Sequence, residues 1–178
     1  LGGLVAITAP CAFVQPWAAA VIGILAGLLI PISLGFIEKR GIDDPVGAIS
    51  VHGVGGIFGV LCVGIFADGQ YGAGWNATDV PGVTGILYDT SLGAKQLASQ
   101  AIGALVICTV IFGVAYAFFK IQNAVMKGGI RSAEADEIEG LDLPEMGMLA
   151  YPEFMGSHAE GAELLQTHDP SGVEMTHK

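Results

Sequence analysis

Charge is scarce in this sequence, and basic charge is scarcest. Only 13% of the 178 residues are charged, against about 25% in an ordinary soluble domain. Lys and Arg number 7 against 17 Asp and Glu, for a net charge of −10. So few cations argue against a nucleic-acid interface, which sets Lys and Arg against phosphate. Cysteine is equally thin. Cys11, Cys62 and Cys108 stand apart without CxxC spacing, which fits neither a disulfide framework nor a zinc site and leaves them as small packing residues. No nucleophile, base pair or metal constellation accompanies the histidines, so nothing points to an enzyme. A starting Met is also missing: the chain opens at Leu1 inside an apolar run, as expected of a C-terminal fragment of a longer protein.

What the sequence has in quantity is hydrophobicity, at 52% of residues, gathered into long runs. Leu1 to Pro16 reads as the stump of a helix and its exit turn, with Pro10 and Pro16 opposing continuation. The expected membrane part, 1–126, holds a partial helix over 1–9 and full spans over 17–37, 46–67 and 96–126, each long enough for the roughly 30 Å hydrocarbon core. Trp17 sits where an interfacial aromatic belongs, Gly23 and Gly27 form a GxxxG pair, and Pro31 interrupts the helical ladder. Residues 68–95 read as a loop containing Trp75 and the glycosylation-like Asn76-Ala77-Thr78. The expected tail, 127–178, is acidic, since eleven of the 17 acidic residues follow Met126. Its first part, Arg131 to Asp142, favours helix. Its last part, from Tyr151, reads as disordered, with His158, His168 and His177 in no ligand pattern.

The run from Asp43 to Ala67 organises the rest. Asp43-Asp44-Pro45 is an orderly helix start, because Asp accepts from free amides and Pro suits the first turn; capping and a role in transport are both open to the two acids. The span that follows contains one histidine, His52, and no acidic or basic residue besides. At about 1.5 Å per residue it is about 33 Å long, which places His52 inside the membrane, where an ionisable group is a functional-site hypothesis. On an α-helix Ala48, Gly55, Gly56 and Gly59 share its face. A face so stripped of bulk suits either close helix packing or a narrow lumen.

The motif Asp43-Asp44-Pro45 with His52-Gly-Val-Gly-Gly-Ile-Phe-Gly59 resembles the tenth transmembrane segment of the Amt/MEP/Rh ammonium transporters. Gly3-Leu-Val-Ala-Ile-Thr-Ala-Pro-Cys-Ala-Phe-Val14 is similar to the end of their eighth segment, and Glu139-Gly-Leu-Asp142 to their cytoplasmic tail motif. The three come in the family's order, and the Ala-Ile-Thr-Ala-Pro-Cys turn fits the bacterial or archaeal Amt branch. The resemblance implies an all-α integral membrane protein, the C-terminal part of an eleven-helix fold, with an acidic, partly disordered cytoplasmic tail. It implies ammonium as substrate, a homotrimer in the plasma membrane, no cofactor, and PII signal proteins as partners of the tail. It also implies passage of ammonia along two hydrogen-bonded pore histidines. His52 matches the second; the first lies in the family's fifth segment. Ala48 is implied as pore lining, and Asp43, Asp44, Gly140, Leu141 and Asp142 as structural or regulatory positions. A sensor signalling through its tail and a non-transporting structural subunit are the rival readings.

Orientation follows from the basic residues without the resemblance. Lys39 and Arg40 follow the first full span and Lys120, Lys127 and Arg131 the third, while Lys95 stands alone in the expected loop. The positive-inside rule then puts the tail in the cytoplasm.

Overall fold

The computed structural model describes residues 1–72 and 82–151. Trp75, the Asn76-Ala77-Thr78 motif, the three tail histidines and the expected disordered end from Pro152 onward lie outside them. Among the described residues the secondary structure is helical, with one isolated bridge pairing Asp68 and Thr84. The chain divides into two compact units, Leu1–Tyr116 and Ala117–Lys178.

In the first unit, α1 (Gly2–Thr8) and α2 (Pro16–Glu38) precede a π-helical turn, Ile49–Val54, that runs on into α3 (Gly55–Phe66). The long α4 (Thr90–Val125) follows, its residues up to Tyr116 belonging to this unit. Three stretches, Pro16–Glu38, Ile49–Phe66 and Thr90–Val125, are long and apolar enough to cross a membrane. Pro16 opens α2 at a first-turn position, where its missing N–H costs nothing, and α2 stays helical through Pro31.

Two helix starts differ from the sequence expectation. Val46 is 81% exposed and lies in a turn ahead of the second span, because Gly47 adopts φ 67° and bends the chain before the helix begins. The third span starts at Thr90 rather than Gln96. Its carboxylate cap explains this: Asp89 Oδ1 accepts the Leu92 amide at 2.7 Å, and the Asp89 carbonyl accepts the Gly93 amide at 2.9 Å. Lys95 therefore stands in a helix, not in a loop.

The core lies between α1, α2 and α3, where Ala6, Ile22, Ala26 and Cys62 are at most 1% exposed and Ile7, Phe58 and Phe66 pack around them. Side chains this small let the backbones approach, and Gly59 takes the approach furthest. A Cβ there would collide with the Ala6 carbonyl and lie 3.0 Å from Ala6 Cα. Gly64 does the same for α4, with Leu97 Cα 2.5 Å from where its Cβ would be. Beyond that contact α4 shows its apolar side chains outward: Ile102, Leu105, Ile111 and Phe112 are all more than half exposed.

One carboxylate ties the two connections at the α1–α2 end together. Asp68 Oδ2 accepts from Gln15 Nε2 at 3.2 Å, and Oδ1 accepts the Gln70 and Tyr71 amides at 2.9 Å each. The Asp68 amide in turn donates to the Phe13 carbonyl at 3.0 Å. Trp17 Nε1 donates to Gln15 Oε1 at 3.1 Å while its ring meets Phe66 edge-on at 6.1 Å. Burial pushes the Asp68 carboxyl upward, but the hydrogen bonds from Gln70, Tyr71 and Gln15 outweigh it and hold the carboxyl below its ordinary value.

In the second unit, α5 (Glu134–Glu139) precedes a π-helical segment, Asp142–Met146, so of the stretch Arg131 to Asp142 that favours helix only Glu134–Glu139 is α-helical, and the π-helical segment begins at its last residue. Arg131 Nε and Nη2 donate to the two carboxylate oxygens of Glu137 at 2.6 and 2.7 Å. This bidentate pair holds the Glu137 carboxyl below its ordinary value. Ser132 Oγ donates to Glu145 Oε1, joining the stretch before α5 to the one after it.

The Asp68 connection carries a pH prediction. A carboxyl lowered in the folded state contributes stability above its unfolded value, about 4, and loses it as pH falls through the folded value. The thermal midpoint of the complete protein in detergent should therefore drop on acidification below about pH 4. Asp68→Asn should lower the midpoint at neutral pH and flatten that acid limb; an unchanged limb in the variant would place the titration elsewhere.

Candidate functional site

The span bearing His52 begins at a buried carboxylate. Asp44 is 7% exposed; its Oδ1 accepts the Ile49 amide at 3.2 Å and its Oδ2 the Ser50 amide at 3.4 Å. These are amides that a helix start leaves without intrahelical partners, and in a bilayer they have no water to turn to. Asp43, by contrast, is exposed. The two acids that look alike in sequence thus stand in different surroundings.

From that cap the backbone enters a π-helical turn rather than an α-helix. The Gly55 amide is shared between the Ser50 carbonyl, five residues back, and the His52 carbonyl, three residues back. Such a turn holds one residue more than an α-turn, so the face expected for a regular helix does not survive it. Ser50, Val51, Gly55 and Gly59 are buried, whereas Ala48, His52 and Gly53 are exposed. Gly55 and Gly59 lie against α1 and Ile30 of α2; no atom comes within 4 Å of where a Gly56 Cβ would stand. The alternatives of close packing and an open side are therefore divided between the residues: packing claims Gly55 and Gly59, and the open side carries His52 and Ala48.

Two residues that shape this site escape the sequence reading. Ser33 of α2 donates from its Oγ to Ser50 Oγ at 3.0 Å, in a buried contact. Their signal was available, since a hydroxyl inside an apolar span needs a partner. The remaining expected positions belong to the second unit. Gly140 has φ 120°, a conformation essentially confined to glycine. Leu141 is 39% exposed, and Asp142 Oδ2 accepts the Ala150 amide at 3.1 Å. Among the described residues no cluster of His, Cys, Asp and Glu has the makings of a metal site.

Described residues that are helical apart from one isolated bridge, three stretches long and apolar enough to cross a membrane, and glycine-mediated packing define an integral membrane protein with His52 in one of its candidate spans. The Ammonium Transporter Family matches residues 1–151, and the chain belongs to that family. It is 46% identical over 160 residues to ammonium transporter Amt2 of Archaeoglobus fulgidus, covering 90% of this chain and 33% of that protein. It is 34% identical over 157 residues to an ammonium transporter of Bacillus subtilis, covering 87% of this chain and 36% of that protein. Among solved structures, a protein titled Sensor Amt Protein aligns with TM-score 0.65 and 39% identity, over 81% of this chain and 32% of that one. The chain thus spans about a third of the length of these relatives.

The packing at Gly59 is directly testable. Gly59→Ala in the complete protein should destabilise it by about 1–3 kcal/mol, the usual cost of overpacking, read as a lower unfolding midpoint in detergent. An unchanged midpoint would show that α1 and α3 do not meet as closely as the Gly59–Ala6 contact requires.

Proposed function

We propose that this chain is the C-terminal third of an ammonium transporter and that His52 lines the path of ammonia through it. The observation that carries the reading is the exposure of His52 on the side of its span that α1 and α2 leave uncovered, in a chain of the Ammonium Transporter Family. A neutral imidazole accepts a hydrogen bond at one nitrogen and donates from the other, which suits it to hand ammonia along an apolar passage that rejects bare cations. Ammonium gives up its proton before entering, and a second histidine outside this chain completes the pair. Ala48, exposed ahead of the π-turn, lines the same passage, and Asp44 fixes the start of the span below it. The complete protein is a homotrimer in the plasma membrane, with the tail in the cytoplasm as the Lys and Arg distribution favours.

An ammonium pulse on proteoliposomes holding the complete protein tests this. A current, or electroneutral ammonia entry reported by an internal pH dye, is expected in the wild type and should fall at least roughly tenfold in His52→Ala, in line with loss of a group acting at the transported molecule. Unchanged flux in an assembled variant would remove His52 from the path.

The relative titled Sensor Amt Protein favours a second reading, in which ammonium binding is reported through the tail. Binding of ammonium without any flux in the wild type would select it. In either reading the tail is the docking surface for a PII signal protein, with Gly140, Leu141 and Asp142 shaping it. PII should co-sediment with vesicles carrying the complete protein and be lost when the chain is cut after Gly128; sedimentation indifferent to that cut would exclude the tail as its site.

A further inference from the structure

The π-helical turn at Ile49–Val54 is held between two anchors, and His52 lies between them. The first anchor is polar. Asp44 accepts the Ile49 and Ser50 amides through its two oxygens, and Ser50, fully buried, accepts a hydrogen bond from Ser33 of α2. The second anchor is steric: Gly55 lies 3.4 Å, as measured to its absent Cβ, from Ile30 of α2, and Gly59 sits on the Ala6 backbone of α1. A π-turn is less favourable than the α-turn it replaces and persists where its surroundings over-determine it. Returning it to α geometry removes one residue from the turn, so that the halves on either side rotate by about 100° relative to each other. Both anchors cannot then be kept.

We propose that Ser33 and Ser50 are positioning residues for His52: their buried hydrogen bond holds the π-turn that presents the imidazole on the uncovered side of the span. Ser33 is on a different helix from His52 and acts through Ser50 and the backbone. The link to transport rests on the reading of His52 given above; the link to the turn does not. With the Ser33 hydroxyl removed, Ser50 loses its partner in α2, the first anchor weakens, and the Gly55 amide is free to bond the Val51 carbonyl in α register. His52 then swings away from the open side.

The test compares Ser33→Ala, Ser33→Thr and His52→Ala in the complete protein, by electron cryo-microscopy and by ammonium flux in proteoliposomes. In Ser33→Ala the Gly55 amide should bond Val51 instead of Ser50, and maximal flux should fall by roughly fivefold, the scale of one buried hydrogen bond, with the half-saturating ammonium concentration unchanged. Ser33→Thr, which keeps the hydroxyl, should retain both the π-turn and the flux. Should Ser33→Ala not assemble, Ser50→Ala removes the acceptor and is read in the same two ways. A π-turn that survives loss of either hydroxyl overturns the proposal, as does a lost π-turn with undiminished flux while His52→Ala is impaired. If His52→Ala itself carries full flux, the conduction reading fails, and the register of the turn in Ser33→Ala still decides this one.

Discussion

The absence of a side chain at Gly59 governs the arrangement of everything around it. With no Cβ to hold them apart, the backbones of α3 and α1 touch at Ala6. Lipid offers no hydrophobic gain for bringing two apolar helices together, so association depends on this kind of close van der Waals contact and on polar pairs. The contact decides which side of the span is covered. With Gly55 and Gly59 committed to α1 and α2, the side carrying Ala48, His52 and Gly53 is exposed among the described residues. The exposure of the histidine thus goes with where the glycines are, at the following positions Gly55 and Gly59.

Polar groups do the complementary work at the ends and in the middle. Asp44 serves amides at the start of one span, Asp89 serves an amide at the start of the next, and Asp68 gathers the two connections at the opposite end of α2 from Asp44. Each meets backbone donors left without a partner at a helix start or in a connection, Asp44 and Asp68 from buried positions and Asp89 from an exposed one. The Ser33–Ser50 pair does the same for side chains.

Much of this was legible in the sequence. Long uncharged runs announce membrane helices because length and hydropathy alone decide that question, and three ordered motifs carried the family. Less was legible where geometry departs from the regular helix. The face drawn through His52 assumed 3.6 residues per turn, and no residue pattern in Ile49–Val54 announces the extra residue of a π-turn; the contacts beside it, with Ser33, Ile30 and Ala6, are remote in sequence. The early start of α4 is a different kind of miss. Asp89-Thr90-Ser91-Leu92 carries a legible cap signal, which the glycines and polar residues around it outweighed in the reading. Gly140 was read as part of a motif, and its backbone angle supplies a physical reason why that position is glycine.

The uneven burial of the helices is itself an argument about what the chain is. A polypeptide that folded alone in a membrane would have little reason to leave an imidazole and two glycines on an unshielded side, since lipid cannot satisfy a ring nitrogen and a glycine there contributes no contact area. Nor would lipid explain why the small residues continue past the packed face to Gly56, where no atom lies within 4 Å of a Cβ position. Small residues are useful where another backbone or a small molecule must come close. The chain spans about a third of the length of the relatives it matches, so a protein of their length has further chain available for such an approach. An exposed imidazole beside small residues is the kind of surface that such an approach requires.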